Sequence, residues 1–160
     1  AHKTAYLRDQ LGLDAVIDYK TEANLTKALA RALKDIGEKG IDLYFDNVGG
    51  EHLHAAIALA NDYARFAICG MISQYNLGGD APIAPRNLML MMGKRIRMQG
   101  FIALDHMDLW QHFMADMMAW HQAGLMKSAE TVYEGIDHAL DAFFGLFTGD
   151  NMGRALVKLS

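Results

Sequence analysis

Apolar residues crowd the stretch Ile41-Asp42-Leu43-Tyr44-Phe45, which stops at Asp46-Asn47 and then at Val48-Gly49-Gly50. An apolar run with so little alternation suits a strand covered on both faces, as in a parallel sheet. Leu53, Ala56, Ile57 and Ala60 follow at spacings of three and four, which predicts a helix directly after the glycines. Upstream, Leu7 and Leu11 share a helical face, and Gly12 stands where a helix end belongs. Ala15-Val16-Ile17-Asp18-Tyr19 predicts a short strand with a β-branched centre. Thr21 or Asn24 can cap the next helix, marked by Leu25, Ala28, Leu29, Ala32, Leu33 and Ile36 and ended by Gly37. Arg65 to Gly70 predicts another buried strand. Strand, helix, strand, helix, strand is the rhythm of right-handed βαβ units in a parallel sheet.

Past Gly70 the pattern loosens. Met71 to Pro85 holds both prolines and a glycine-aspartate cluster, and predicts a long loop at the carboxyl end of a strand. A short methionine-rich helix follows Arg86-Asn87, and Arg95 to Gln99 alternates as an edge strand does. The character changes near Asp105. Asp108 is expected to cap a helix with Leu109, Phe113, Met117 and Trp120 on one face. Thr131 to Tyr133 predicts an extended piece, and a final helix is expected to bury Ile136, Leu140, Phe143, Phe144 and Phe147 before a last strand from Ala155 to Leu159. The expected division is 1–104 for the α/β part and 105–160 for a helix-strand return segment.

With 160 residues, 52% of them hydrophobic and 21% charged, the chain has apolar mass for a core, and its net charge of −4 argues for no nucleic acid or anionic membrane. No apolar run approaches the length of a membrane span, and Ala1-His2-Lys3 lacks the plan of a signal peptide, so a cytoplasmic chain is expected. The helical pattern starts at once, without an initiating methionine, and suggests the later part of something longer. Cys69 is the lone cysteine, and no His-Glu-x-x-His motif or carboxylate cluster accompanies the seven histidines, so no metal site is expected. Neither a Gly-x-Ser-x-Gly elbow nor a Gly-x-x-x-x-Gly-Lys loop is present, and nothing matches the Gly-x-Gly-x-x-Gly turn of a full dinucleotide fold. In open α/β sheets ligands lie beyond the carboxyl ends of the strands, which makes Asp46 to Gly50 the first candidate site. From the residues alone, a glycine turn that merely closes a βα unit is the better explanation of the stretch.

Several segments together resemble one family. Lys3-Thr4-Ala5-Tyr6-Leu7, Ile17 to Thr21, Tyr44 to Glu51, Cys69 to Asn76, Pro85 to Leu88, Gln99 to Ile102, Gly145 to Phe147 and Asn151 to Val157 are similar to the zinc-independent medium-chain reductases. That group includes prostaglandin reductases, alkenal double-bond reductases and curcumin reductase. The segments run in family order over the whole chain and match the C-terminal half of such an enzyme. The resemblance implies a partial Rossmann-type parallel sheet with flanking helices, lacking the first strand, the glycine-rich turn and the second strand. It also implies a homodimer joined through the edge strand Arg95 to Gln99.

The same resemblance implies NADPH as coenzyme and conjugate reduction as the reaction, with hydride passing to the β-carbon of an α,β-unsaturated ketone or aldehyde. Lys3 and Tyr19 match residues that hold the 2′-phosphate, and Asn47 matches a coenzyme contact on the carboxyl edge. Cys69, Gly70, Met71, Ile72, Ser73, Gln74 and Tyr75 match the loop around the nicotinamide half. Phe101, Ile102 and Ala103 match a strand-end contact with the nicotinamide, and Asn151 a late contact from the tail. Tyr75 is the expected catalytic residue, donating a hydrogen bond to the enolate oxygen or positioning the nicotinamide ribose. A quinone reductase of the same superfamily and a catalytically silent module are the alternatives. With the two strands missing, either the sheet lacks its middle or the remaining strands close up.

Overall fold

The computed structural model describes residues 2–79 and 85–159; Asp80 to Ala84, part of the expected loop, lie outside them. The chain divides into two compact units, Ala1–Met107 and Asp108–Ser160. In the first, α1 (His2–Asp9) leads through an irregular segment and a 3-10 turn at Tyr19–Thr21 to α2 (Leu25–Asp35). Then come β1 (Ile41–Asp46), α3 (Gly50–Leu59), β2 (Ala60–Ile68), α4 (Met89–Lys94) and β3 (Arg97–Gly100). The three strands form one parallel sheet in the order β1-β2-β3.

Local chemistry sets the helix ends. The Asn24 side chain accepts from the Lys27 backbone N–H at 2.9 Å and so caps α2. Of the two residues the sequence offers as caps, only Asn24 does this. Asn24→Ala is expected to lower the stability of the first unit by about 1 kcal/mol, read as a fall in its thermal midpoint. At the far end of α3, Lys94 Nζ donates to the Ala58 and Ala60 carbonyl oxygens at 2.8 and 2.7 Å. A cation here satisfies carbonyls that the helix leaves open and meets the negative end of its dipole.

The core lies on one side of the sheet. Leu53, Ala56 and Ile57 from α3 pack with Ala60, Ala64, Phe66 and Ile96, while Tyr44, Ile68, Met91 and Met98 close the margin. Ile57 is fully buried, a contribution of about 1.5–3 kcal/mol by burial of apolar area. Tyr44 meets Phe66 edge-on at 5.1 Å. Leu43, Phe45, Arg65, Ala67, Arg97 and Gln99 belong to the opposite side and border an open cleft of about 720 Å³. Leu43 is 65% and Phe45 59% exposed there. Within this chain the expected cover on both faces is therefore met on one face only.

Further expectations change. The strand expected from Arg65 begins at Ala60, a residue the spacing assigns to the preceding helix, which ends at Leu59. Ala15 to Asp18 finds no sheet partner among the described residues, and Tyr19 opens a 3-10 turn rather than ending a strand. A β-branched centre makes no strand without a neighbour to pair with. The remaining strands thus do not close up into a four-stranded sheet. The edge strand begins at Arg97, because Arg95 takes the left-handed conformation (φ 51°) that ends α4. Its guanidinium pairs with Asp62 and sits 4.7 Å above the ring of Tyr63, itself left-handed at φ 64°.

A 3-10 segment, Ala103–Leu109, runs into α5 (Trp110–Gln122) of the second unit. Asp108 lies inside that segment and does not cap the helix, whose cap position is Leu109. β4 (Glu130–Glu134), α6 (Ala139–Thr148) and β5 (Arg154–Lys158) complete the unit, with β4 and β5 paired in parallel. The apolar stripe expected on α6 exists but is not buried. Phe143 meets Phe144 and Phe147 at 5.7 and 5.2 Å, all three rings remain exposed, and only Ala142 and Gly145 of the helix are buried. No helix among the described residues is long and apolar enough to cross a membrane.

Candidate functional site

A parallel sheet delivers every strand end to the same side. Asp46 pairs in register with Ile68, and Ile68 with Gly100. The residues that follow, Asn47, Cys69 and Phe101, therefore leave the sheet side by side. Phe101 N–H still donates to the Ile68 carbonyl at 3.3 Å.

Backbone bonds then stitch the first two loops into one body. Cys69 and Gly70 N–H groups donate to the Asp46 carbonyl at 2.8 and 3.0 Å, and Ile72 N–H to the Asn47 carbonyl at 3.1 Å. Ser73 donates twice to the Val48 carbonyl, from N–H at 3.2 Å and from Oγ at 2.5 Å. Gln74 Nε2 reaches Met71 Sδ at 3.5 Å. A 3-10 turn, Ile72–Gln74, carries the chain to Tyr75. A Cβ placed on Gly70 would lie 3.6 Å from the Asn47 carbonyl oxygen and 3.7 Å from Tyr75 Oη, so these three residues converge on one spot. Tyr75 is 70% exposed above it.

Asp46 anchors the arrangement. Its Oδ1 accepts from the N–H groups of Val48 and Gly49 at 2.8 and 2.9 Å, an Asx turn that points the chain into α3. Gly49 takes φ 73°, and a Cβ on it would press to 3.0 Å from Met71 Cγ, so both conformation and space call for glycine. The carboxylate is 1% exposed, and its Oδ2 is buried with no hydrogen-bond partner among the described residues. Burial, and after it the Asp46 charge, holds the Tyr44 phenol above the ordinary tyrosine range. Burial also lowers the His52 imidazole from its ordinary value, with the Asp46 charge opposing.

Tyr19 joins this region through a ring contact, its centroid 4.9 Å from that of His52 in the first turn of α3. Lys3 stands on α1, whose Thr4 and Arg8 border the same open cleft as Asp18. Ile102 is the second residue past β3, whereas Ala103 starts the 3-10 segment rather than extending the strand end. Asn151 lies in the second unit, where its Nδ2 donates to the Gly153 carbonyl at 2.6 Å. Cys69 is an exposed free thiol. No group of three or more His, Cys, Asp or Glu side chains that could hold a metal comes together among the described residues. Asn47, the Cys69–Tyr75 loop and Phe101 are thus gathered on one edge with Tyr19 beside them. Sequence reasoning did not single out His52, because its contact joins positions 33 residues apart.

Parallel strands ending in register, with a glycine turn that opens a helix, give the first unit the architecture of part of a Rossmann-type sheet. The chain belongs to the zinc-binding dehydrogenase family, whose model matches residues 1–120. It is 39% identical over 158 residues to a 2-alkenal reductase (NADP(+)-dependent) of Nicotiana tabacum, covering 99% of this chain and 44% of the relative. To prostaglandin reductase 1 of Rattus norvegicus it is 39% identical over 157 residues, covering 98% and 46%. A crystal structure of CurA in complex with NADPH from Vibrio vulnificus superposes with a TM-score of 0.85 at 36% identity, over 100% of this chain and 47% of that one. The chain thus spans about half the length of the curated relatives it matches.

Proposed function

We propose that this chain forms the coenzyme-binding part of an NADPH-dependent reductase acting on the C=C bond of α,β-unsaturated ketones or aldehydes. The observation that carries the reading is the common edge on which Asn47, Cys69, Gly70 and Phe101 emerge, with Tyr75 turned back over Gly70. The residue types fit the group. Exposed rings at Tyr19 and Tyr75 offer flat surfaces, Gly70 leaves the backbone bare, and Lys3 and Tyr19 offer a cation and a hydroxyl to a 2′-phosphate. The names of the relatives support NADP as the coenzyme and a conjugated alkene as the substrate class.

NADPH would supply the hydride, and this chain's residues would hold and aim it. Asn47 and the loop Cys69–Tyr75 would keep the nicotinamide half against the strand ends, with Phe101, Ile102 and Ala103 beside it. The Tyr75 hydroxyl would donate to the oxygen on which negative charge develops, or fix the nicotinamide ribose. Asn151 would add a further contact to the coenzyme. A pairing of β3 with the β3 of a second copy belongs to the same reading.

Calorimetry on the 160-residue chain is expected to show saturable NADPH binding, displaced by 2′,5′-ADP, with NADH bound more weakly. Absence of binding, or equal affinity for the two coenzymes, would overturn the reading. With the protein purified from its source, turnover of a 2-alkenal but not of a benzoquinone separates the enone reductase from the quinone reductase.

A further inference from the structure

His52 connects two parts of the candidate site. Its backbone N–H donates to the Gly49 carbonyl at 3.1 Å, which fixes it in the first turn of α3, directly after the glycine turn. Its ring meets Tyr19 with a centroid separation of 4.9 Å and an interplanar angle of 73°, an edge-to-face pair. Tyr19 needs such a partner. It sits on a three-residue 3-10 turn held by Asp18, whose Oδ1 accepts from Lys20 N–H at 3.3 Å and whose carbonyl accepts from Thr21 Oγ1 at 2.9 Å. Those bonds fix the backbone of the turn and leave the half-exposed phenol to be oriented from elsewhere.

We infer that His52 is a positioning residue: its ring holds the Tyr19 phenol in place and thereby sets the preference for a ligand bearing an adenosine 2′-phosphate. The inference rests on the coenzyme reading above, in which Tyr19 faces that phosphate. An edge-to-face pair favours one orientation of the phenol over the freely rotating side chain, and a hydroxyl held in place spends less entropy on meeting the phosphate. Burial keeps the imidazole uncharged over more of the pH range, so its part is that of an aromatic ring rather than of a second cation. The role separates His52 from Lys3, which would attract the phosphate whatever its orientation.

Binding of 2′,5′-ADP and of 5′-AMP to the full chain tests this, compared among the parent, His52→Ala and His52→Phe. The parent is expected to prefer 2′,5′-ADP. His52→Ala is expected to lower that preference about three- to tenfold with 5′-AMP binding unchanged, the range an aromatic pair supports. His52→Phe keeps an edge-to-face ring and is expected to restore the preference. If His52→Ala leaves the ratio unchanged, or weakens both ligands equally, or if His52→Phe behaves as His52→Ala does, the inference fails while the coenzyme reading stands. A parent chain with no preference for the 2′-phosphate overturns both together. Circular dichroism of the variants guards against loss of the fold. Should His52→Ala unfold, His52→Leu fills the space without an aromatic edge, and the same loss of preference is expected of it.

Discussion

Asp46→Ala is expected to lower the stability of the first unit by about 3 kcal/mol, because two N–H groups lose a charged acceptor where water cannot replace it. Those groups are the backbone amides of Val48 and Gly49, both held by Oδ1 of a carboxylate that is itself buried. The same change frees the turn that aims α3 and loosens the loop bonded to the Asp46, Asn47 and Val48 carbonyls. Stability and NADPH affinity should therefore fall together. Asp46→Asn keeps an acceptor of the same shape and is expected to lose less than half as much. Hydrogen exchange at the Val48 and Gly49 amides reads the effect where it arises. Unchanged protection there in Asp46→Ala would show that the carboxylate does not hold the turn.

Gly153→Ala is expected to disrupt the second unit while the first stays folded. Gly153 has φ 68°, and a Cβ on it would overlap the backbone carbonyl of Ala129. That carbonyl accepts from Arg154 N–H at 2.9 Å, directly beside the first β4–β5 pair, Glu130 with Arg154. Backbone cannot swing aside as a long side chain can, so the pair must separate or the turn must open. A left-handed residue carrying a side chain adds its own cost of about 1 kcal/mol. The unit has little to offset this, since α6 buries only Ala142 and Gly145. Trp110 and Trp120 both lie in this unit, so tryptophan fluorescence follows it selectively. A Gly153→Ala spectrum and urea transition identical to those of the parent would refute the argument.

Periodicity makes most elements of the first unit legible. The helix from Leu25, the strand from Ile41 and the helix after Gly49-Gly50 stand where the apolar spacing puts them, whereas the strand expected from Arg65 already begins at Ala60. These patterns are local, and local patterns are what a sequence displays. Ala15 to Asp18 departs from its pattern because strand formation belongs to a pair, and a pairing partner is not written in the segment itself. The aromatic stripe of α6 is present as the spacing predicts, but whether a stripe is covered depends on what faces it. For the candidate site, the glycine turn and the polar strand ends point to the edge on which Asn47, the Cys69–Tyr75 loop and Phe101 gather. Resemblance, not spacing, singles out the residues of the loop from Cys69 to Tyr75. The burial of Asp46 and the contact of His52 with Tyr19 stay hidden in the sequence, since both arise from packing between separate elements.

Because the three strands run the same way, the two rims of the sheet are free to diverge in what they tolerate. The rim at the strands' starts carries Asp62, Tyr63 and Arg95, tied to one another by charge and ring contact and remote along each strand from Asn47, Cys69 and Phe101. Changes to the Asp62–Arg95–Tyr63 clamp are expected to stay local to that rim. At the other rim the carbonyls of Asp46, Asn47 and Val48 are bonded from the second loop, so a single altered residue there is expected to reach two loops at once.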